Sequence, residues 1–185
     1  VSSRTPDAAR RNAATAHVDT FARQHLPPRE FWPEFIFTRP ELHYPPRLNC
    51  VSYFLDRWVD EGHGDAPCVI SPAVSYTYRE LQALVNRIAN VLVGKLGLVP
   101  GGRVLLRSAN NPMMVATYLA VIKAGGVCVA TMPLLRAKEL SYPIQKAKIA
   151  LALGDGKLAD EMEKAKAAAP ELQRIVYWGT DKPDS

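Results

Sequence analysis

Gly154-Asp155-Gly156-Lys157 sets small, turn-forming residues directly before a lysine at the start of a helix-forming stretch. Exposed amides at a helix start, joined by one cation, can hold a phosphate. Two other short stretches, residues 108–111 and 131–135, likewise follow apolar runs. In an open α/β sheet, loops outside the carboxyl ends of strands are where ligands sit. The plainer reading of the lysine loop is an ordinary strand-to-helix connection with a solvated side chain.

Other chemistries fail on the residues themselves. A dinucleotide fingerprint needs G-x-G-x-x-G after a strand and before a helix. The pairs Gly101-Gly102 and Gly125-Gly126 instead precede apolar runs and serve to turn the chain. No Walker-type lysine loop is present, and no G-x-S-x-G supports a serine nucleophile. His17, His25, His43 and His63 all fall in the first 63 residues without metal-ligand spacing. Asp56, Asp60 and Asp65, close to His63, read as solvating a helix end and loop. Cys50, Cys68 and Cys128 are widely spaced, which predicts buried thiols in a reducing compartment rather than a disulfide framework.

Composition bounds the partners. The chain has 185 residues, 48% of them hydrophobic and 22% charged, enough for one globular core. Its net charge is +5, yet the basic residues are scattered, and the densest run, around Lys138 to Lys148, also carries Glu139. A nucleic-acid surface would show a clustered stripe, so no nucleic-acid partner is expected. Apolar stretches such as residues 113–122 are too short to span a bilayer. The polar, arginine-bearing opening up to Asn12 has no secretory h-region. A cytoplasmic, membrane-free protein is the expectation. An opening valine and a polar, turn-forming end after Gly179 suggest that both ends are cuts.

Residues 1–47 form an N-terminal extension holding seven of the fifteen prolines, which rules out long regular elements there. A short helix over residues 17–25 is expected, and Phe31, Trp32, Phe35 and Phe37 are expected to lie against a globular body. Residues 48–185 form an α/β unit. Asn49 caps a helix with an apolar stripe of Val51, Phe54, Leu55, Trp58 and Val59, ended by Gly62. Short strands over 68–70 and 74–76 follow. Thr77 and Glu80 fit a capping box before an amphipathic helix bearing Leu81, Leu84, Val85, Ile88 and Leu92. A strand over 104–106 leads to a buried helix opened by Asn111-Pro112 and stopped by Gly125-Gly126. A strand over 127–130, a helix over 136–146 kinked at Pro143, a strand over 149–153, a helix over 155–168 and a strand over 174–178 complete the series. The alternation predicts an α/β fold, a mainly parallel sheet with helices on both faces.

Ser75-Tyr76-Thr77-Tyr78-Arg79-Glu80-Leu81 resembles the early core motif of the adenylate-forming superfamily, an aromatic-Thr-Tyr-x-Glu-Leu pattern. Gly101-Gly102-Arg103-Val104 resembles that family's Gly-Asp-x-Val turn and strand. Asn110-Asn111-Pro112 resembles its loop before a buried helix, and the stretch from Leu119 to Val127 its second core motif, leading to Pro133. The extension, with Leu26-Pro27-Pro28 and Tyr44-Pro45-Pro46-Arg47-Leu48-Asn49, and Met132-Pro133-Leu134-Leu135 look most like benzoate- and 2-aminobenzoate-CoA ligases.

This resemblance implies the first subdomain of an adenylate-forming N-terminal domain. It also implies an acid–thiol ligase of aromatic degradation that uses ATP, Mg²⁺ and coenzyme A on a small aromatic carboxylate. The family's phosphate loop, ribose-binding aspartate, aryl pocket, hinge and C-terminal lysine are expected beyond the last strand. No catalytic role therefore falls on a residue here, and this stretch alone is expected to be inactive and to bind none of these molecules tightly. By position, Thr131, Pro133 and Lys157 are the candidates for the coenzyme A nucleotide side. An uncovered apolar sheet face is expected to promote self-association. The alternative is a free-standing α/β interaction or regulatory domain.

Overall fold

Val104, Leu105 and Leu106 are all fully buried, but they do not share one core. Val104 and Leu106 join one apolar cluster and Leu105 the other, as alternation along a strand covered on both faces requires. The computed structural model describes residues 15–45 and 47–180 and builds the layers around this strand. The opening polar stretch, Pro46 of the Tyr44–Asn49 run and the polar tail after Thr180 lie outside the described residues.

In chain order, α1 (Phe21–Gln24) precedes a longer helical stretch, α2 (residues 50–63), which contains two π-helical segments at Ser52–Asp56 and Val59–His63. Strands β1 (Pro67–Val69) and β2 (Tyr76–Thr77) form a small antiparallel pair. Then come α3 (Tyr78–Gly94), β3 (Arg103–Arg107), α4 (Pro112–Lys123) and β4 (Val127–Thr131). The series closes with α5 (Ala137–Lys146), β5 (Leu151–Asp155), α6 (Ala159–Ala168) and β6 (Arg174–Trp178). The main sheet is parallel throughout, in the order β4-β3-β5-β6. Helices α3 and α4 cover one face through Leu81, Val85, Leu92, Ala120 and Val121. Helices α5 and α6 cover the other through Leu140, Ile144 and Met162. Each fully buried leucine among these contributes roughly 1.5–3 kcal/mol of hydrophobic stabilisation.

Local chemistry starts and stops the helices as the residue types require. The Thr77 hydroxyl accepts from the Glu80 amide at 3.2 Å, and the Glu80 carboxylate accepts from the Thr77 amide at 2.8 Å, closing the capping box at α3. Asn111 Oδ1 accepts from the Met114 amide at 2.8 Å, with Pro112 at the first helical position of α4. Pro143 sits inside α5, which continues through it to Lys146.

Several expectations shift. In α2 only Val51 and Leu55 are buried, one turn apart; Phe54 and Trp58 are 65% and 37% exposed. The π-helical segments rotate those positions away from the stripe that a 3.6-residue period assigns them. The strand expected over 149–153 begins at Leu151, because Lys148 adopts a left-handed φ of 51° and the chain turns there. Ile149 is still fully buried, but in the connection between that turn and β5. Cys50 is exposed rather than buried, and Cys68 and Cys128 are half-buried.

The aromatic extension also differs. Phe31, Phe35 and Phe37 are 74%, 43% and 43% exposed and belong to neither buried core cluster. Prolines at 27, 28, 33 and 40 hold the segment in extended pieces and single turns, which never present one continuous face. Within the segment Phe35 stacks on Phe37 at 6.0 Å, and the Trp32 indole donates to the Pro27 carbonyl at 2.6 Å. The helix expected over 17–25 is the single turn α1.

Candidate functional site

Parallel register aligns the carboxyl ends of the strands: Arg107 of β3 lies opposite Thr131 of β4 and Gly154 of β5. The three loops singled out from the sequence therefore leave the sheet along one edge. Asn111 Nδ2 donates to Ser108 Oγ at 2.9 Å and to Asp155 Oδ2 at 3.3 Å, so the loop after β3 is joined to the loop after β5.

The loops after β4 and β5 meet around a cavity of about 400 Å³ whose walls include Arg107, Pro133, Leu135, Arg136, Lys157 and Lys164. Asp160 and Glu161 add two carboxylates against four cationic side chains, leaving an excess of positive charge. The Glu161 carboxyl is held below the usual carboxylate range, first by Lys164, which donates to it at 2.8 Å, and then by the Ala137 amide at 2.9 Å.

Arg107 forms the inner wall. It is 2% exposed, and its hydrogen bonds reach three main-chain carbonyls. Nη1 donates to Leu158 at 2.6 Å, and Nη2 to Pro133 at 2.8 Å and Leu135 at 2.6 Å. Nε is buried without an acceptor. Desolvation lowers the guanidinium's hold on its proton, although Glu161 and Tyr177 oppose that shift. An arginine nonetheless stays charged at neutral pH.

Of the expected site residues, Pro133 and Lys157 line this one cavity, and Thr131 does not. Thr131 ends β4 with its hydroxyl donating to the Leu106 carbonyl at 3.2 Å, a contact between adjacent strand ends. Lys157 is exposed, but not on the first turn of a long helix. Asp155 Oδ1 accepts from the Lys157 amide at 3.0 Å and shapes a 3₁₀ turn, Gly156–Leu158, before α6 begins. That amide is already occupied, so the lysine loop can offer an anion its ammonium but not a cradle built from its own N–H. Arg107 escaped the sequence reading; the only signal was a charged residue closing the apolar run Val104-Leu105-Leu106.

A second hollow is of a different kind. An apolar groove of about 310 Å³ lies between α3, α4 and β6, lined by Leu84, Ile88, Val91, Met113, Val176 and Trp178. Among the described residues no group of three His, Cys, Asp or Glu side chains gathers as a metal site, and no helix is long and apolar enough to cross a membrane.

The family model described as AMP-binding enzyme matches residues 55–184. Benzoate–CoA ligase of Thauera aromatica is 30% identical over 148 residues, covering 80% of this chain and 28% of that protein. The 3-hydroxybenzoate–CoA ligase of Aromatoleum sp. (strain CIB) is 31% identical over 132 residues, covering 71% of this chain and 25% of that protein. The chain thus spans about a quarter of the length of these relatives. Coronafacic acid ligase from Pectobacterium brasiliense matches with a TM-score of 0.66 at 26% identity, over 74% of this chain and 27% of that one. The anthranilate CoA ligase AuaEII, solved with anthranoyl-AMP, shares the fold with a TM-score of 0.64 at 22% identity, over 68% of this chain and 24% of that one. With the parallel sheet, the capping box at Thr77 and the family match all falling on the same stretch, the chain belongs to the AMP-binding, adenylate-forming enzyme family.

Proposed function

We propose that the protein carrying this chain is an ATP-dependent aryl-acid–CoA ligase, and that this stretch contributes to its coenzyme A side. In the proposed reaction an aromatic carboxylate attacks the α-phosphorus of ATP, giving an acyl-adenylate and pyrophosphate. The coenzyme A thiol then displaces AMP and leaves a thioester. The observation that carries the reading is the cavity between the loops after β4 and β5, whose cationic walls suit a phosphorylated nucleotide. The benzoate and 3-hydroxybenzoate specificities of two relatives support an aromatic acid as the other substrate.

In this reading Lys157 offers its ammonium to a phosphate of the nucleotide. Pro133 shapes the wall, and Thr131 keeps the β4 end against β3. Residues for ATP, Mg²⁺ and the aryl group are not assigned to this stretch. The proposed setting is cytoplasmic, where coenzyme A and free thiols coexist. The apolar groove beside the β6 edge supports self-association of the 185-residue chain, readable as concentration-dependent mass in light scattering.

The test is thioester formation by the longest protein its reading frame encodes, assayed with ATP, coenzyme A and benzoate, 3-hydroxybenzoate and 2-aminobenzoate. Aryl-CoA appears with at least one of these acids. No thioester with any of them, from protein that melts cooperatively, refutes the reading.

A further inference from the structure

We propose that Arg107 is a positioning residue for the nucleotide of coenzyme A, a proposal that rests on the ligase reading above. One guanidinium binds the two walls of the cavity at once. Pro133 and Leu135 belong to the loop after β4, and Leu158 to the turn after β5. The distance between Pro133 and Lys157 therefore depends on a side chain that comes from neither loop.

Burial sharpens the point. Strand-end space at 2% exposure could be filled by an apolar side chain with no desolvation penalty. Arg107 instead carries a charge into it, bonds only carbonyls there, and leaves Nε without an acceptor. Among the described residues no carboxylate hydrogen-bonds that guanidinium, and Glu161 on the cavity wall offsets only part of its charge from a distance. With Lys157, Arg136 and Lys164 it outweighs Asp160 and Glu161, the latter paired to Lys164, and the remaining positive charge favours an anionic ligand such as the phosphates of a phosphorylated adenine nucleotide. Glu161, in the first turn of α6, accepts from the Ala137 amide at the start of α5, a second and more exposed tie just beyond those two loops.

The experiment compares Arg107→Met and Arg107→Lys in the longest protein the reading frame encodes. Two readouts are taken: KM for coenzyme A in thioester formation, and pyrophosphate exchange with ATP and the aromatic acid alone. Arg107→Met is expected to raise KM for coenzyme A about tenfold more than it slows exchange. Arg107→Lys, which keeps the charge but reaches fewer carbonyls, recovers part of that difference. Equal losses in both readouts, or identical behaviour of the two variants, overturn the proposal. Should Arg107→Met fail to fold, Arg107→Lys decides. A raised KM for coenzyme A with unaltered exchange supports the proposal, and an unaltered KM overturns it. The underlying reading fails separately. If the parent protein forms no thioester, or Lys157→Ala leaves KM for coenzyme A unchanged, the site itself is lost and Arg107 with it.

Discussion

The Arg103 guanidinium hydrogen-bonds the Asp19 carboxylate, fastening the N-terminal segment to the amino end of the central strand. Around that bond the Val18 and Asp19 amides both donate to the Pro100 carbonyl at 2.9 Å, and Phe21 lies beneath the guanidinium at 4.8 Å. Hydrogen bonds from the Phe21 amide and from Arg103 hold the Asp19 carboxyl below its ordinary value, against the opposing effect of burial.

A depressed folded-state pKa means that the stabilisation is present above the unfolded carboxyl value and is lost as pH falls through the folded one. Asp19→Asn is therefore expected to lower stability at pH 7 by about 1.5–3 kcal/mol, the range for hydrogen bonds to a charged group. The difference between parent and variant should shrink below about pH 4, as the parent's own carboxylate protonates. Urea unfolding at a series of pH values measures both the size and the sign.

Gly101 is the counterpart on the turn. Its φ is +88°, and a Cβ there would fall on the Asp19 carbonyl oxygen. Gly101→Ala combines left-handed strain of about 1 kcal/mol with expulsion of the docked segment. The expected outcome is faster amide exchange over residues 17–25 with the sheet still protected, read by hydrogen-exchange mass spectrometry.

The cysteines should separate by reactivity. Burial pushes the Cys128 thiol up to about 12, and burial also raises Cys68. Cys50 stands exposed at the start of α2. Because the thiolate is the nucleophile, iodoacetamide at pH 8 is expected to label Cys50 first and Cys128 last, as followed by peptide mass.

Lys157 supplies the clearest site prediction. Lys157→Ala is expected to raise KM for coenzyme A about three- to tenfold, the loss of one partly exposed charge–phosphate contact of roughly 1 kcal/mol. KM for the aromatic acid should move less than twofold. Steady-state kinetics with each substrate varied in turn checks it.

Much of the fold was legible because periodicity and caps agreed. Thr77 with Glu80, and Asn111 with Pro112, mark helix starts that hydrogen bonds then close. The apolar runs at 104–106 and 174–178 place strands because both faces of the sheet are covered. Less was legible where backbone geometry departs from the regular period. π-Helical segments move Phe54 and Trp58 off the buried stripe, and the positive φ at Lys148 delays β5 by two residues. The site was half visible. Pro133 and Lys157 follow strands and could be placed at the ligand edge, whereas Arg107 looks like any charged strand end until the fold buries it beneath two loops.

The proposed ligase, of which this α/β unit is a part, activates an aromatic carboxylate with ATP before coenzyme A takes part. Isotope exchange between pyrophosphate and ATP, run with benzoate or 2-aminobenzoate and no coenzyme A, isolates that first step. Acid-dependent exchange by the longest protein of the reading frame, with none by residues 1–185 alone, is the predicted result. Acid-independent exchange, or no exchange from the folded whole protein, would contradict the ligase reading, and exchange by the 185-residue chain would overturn the expectation that this stretch is inactive alone.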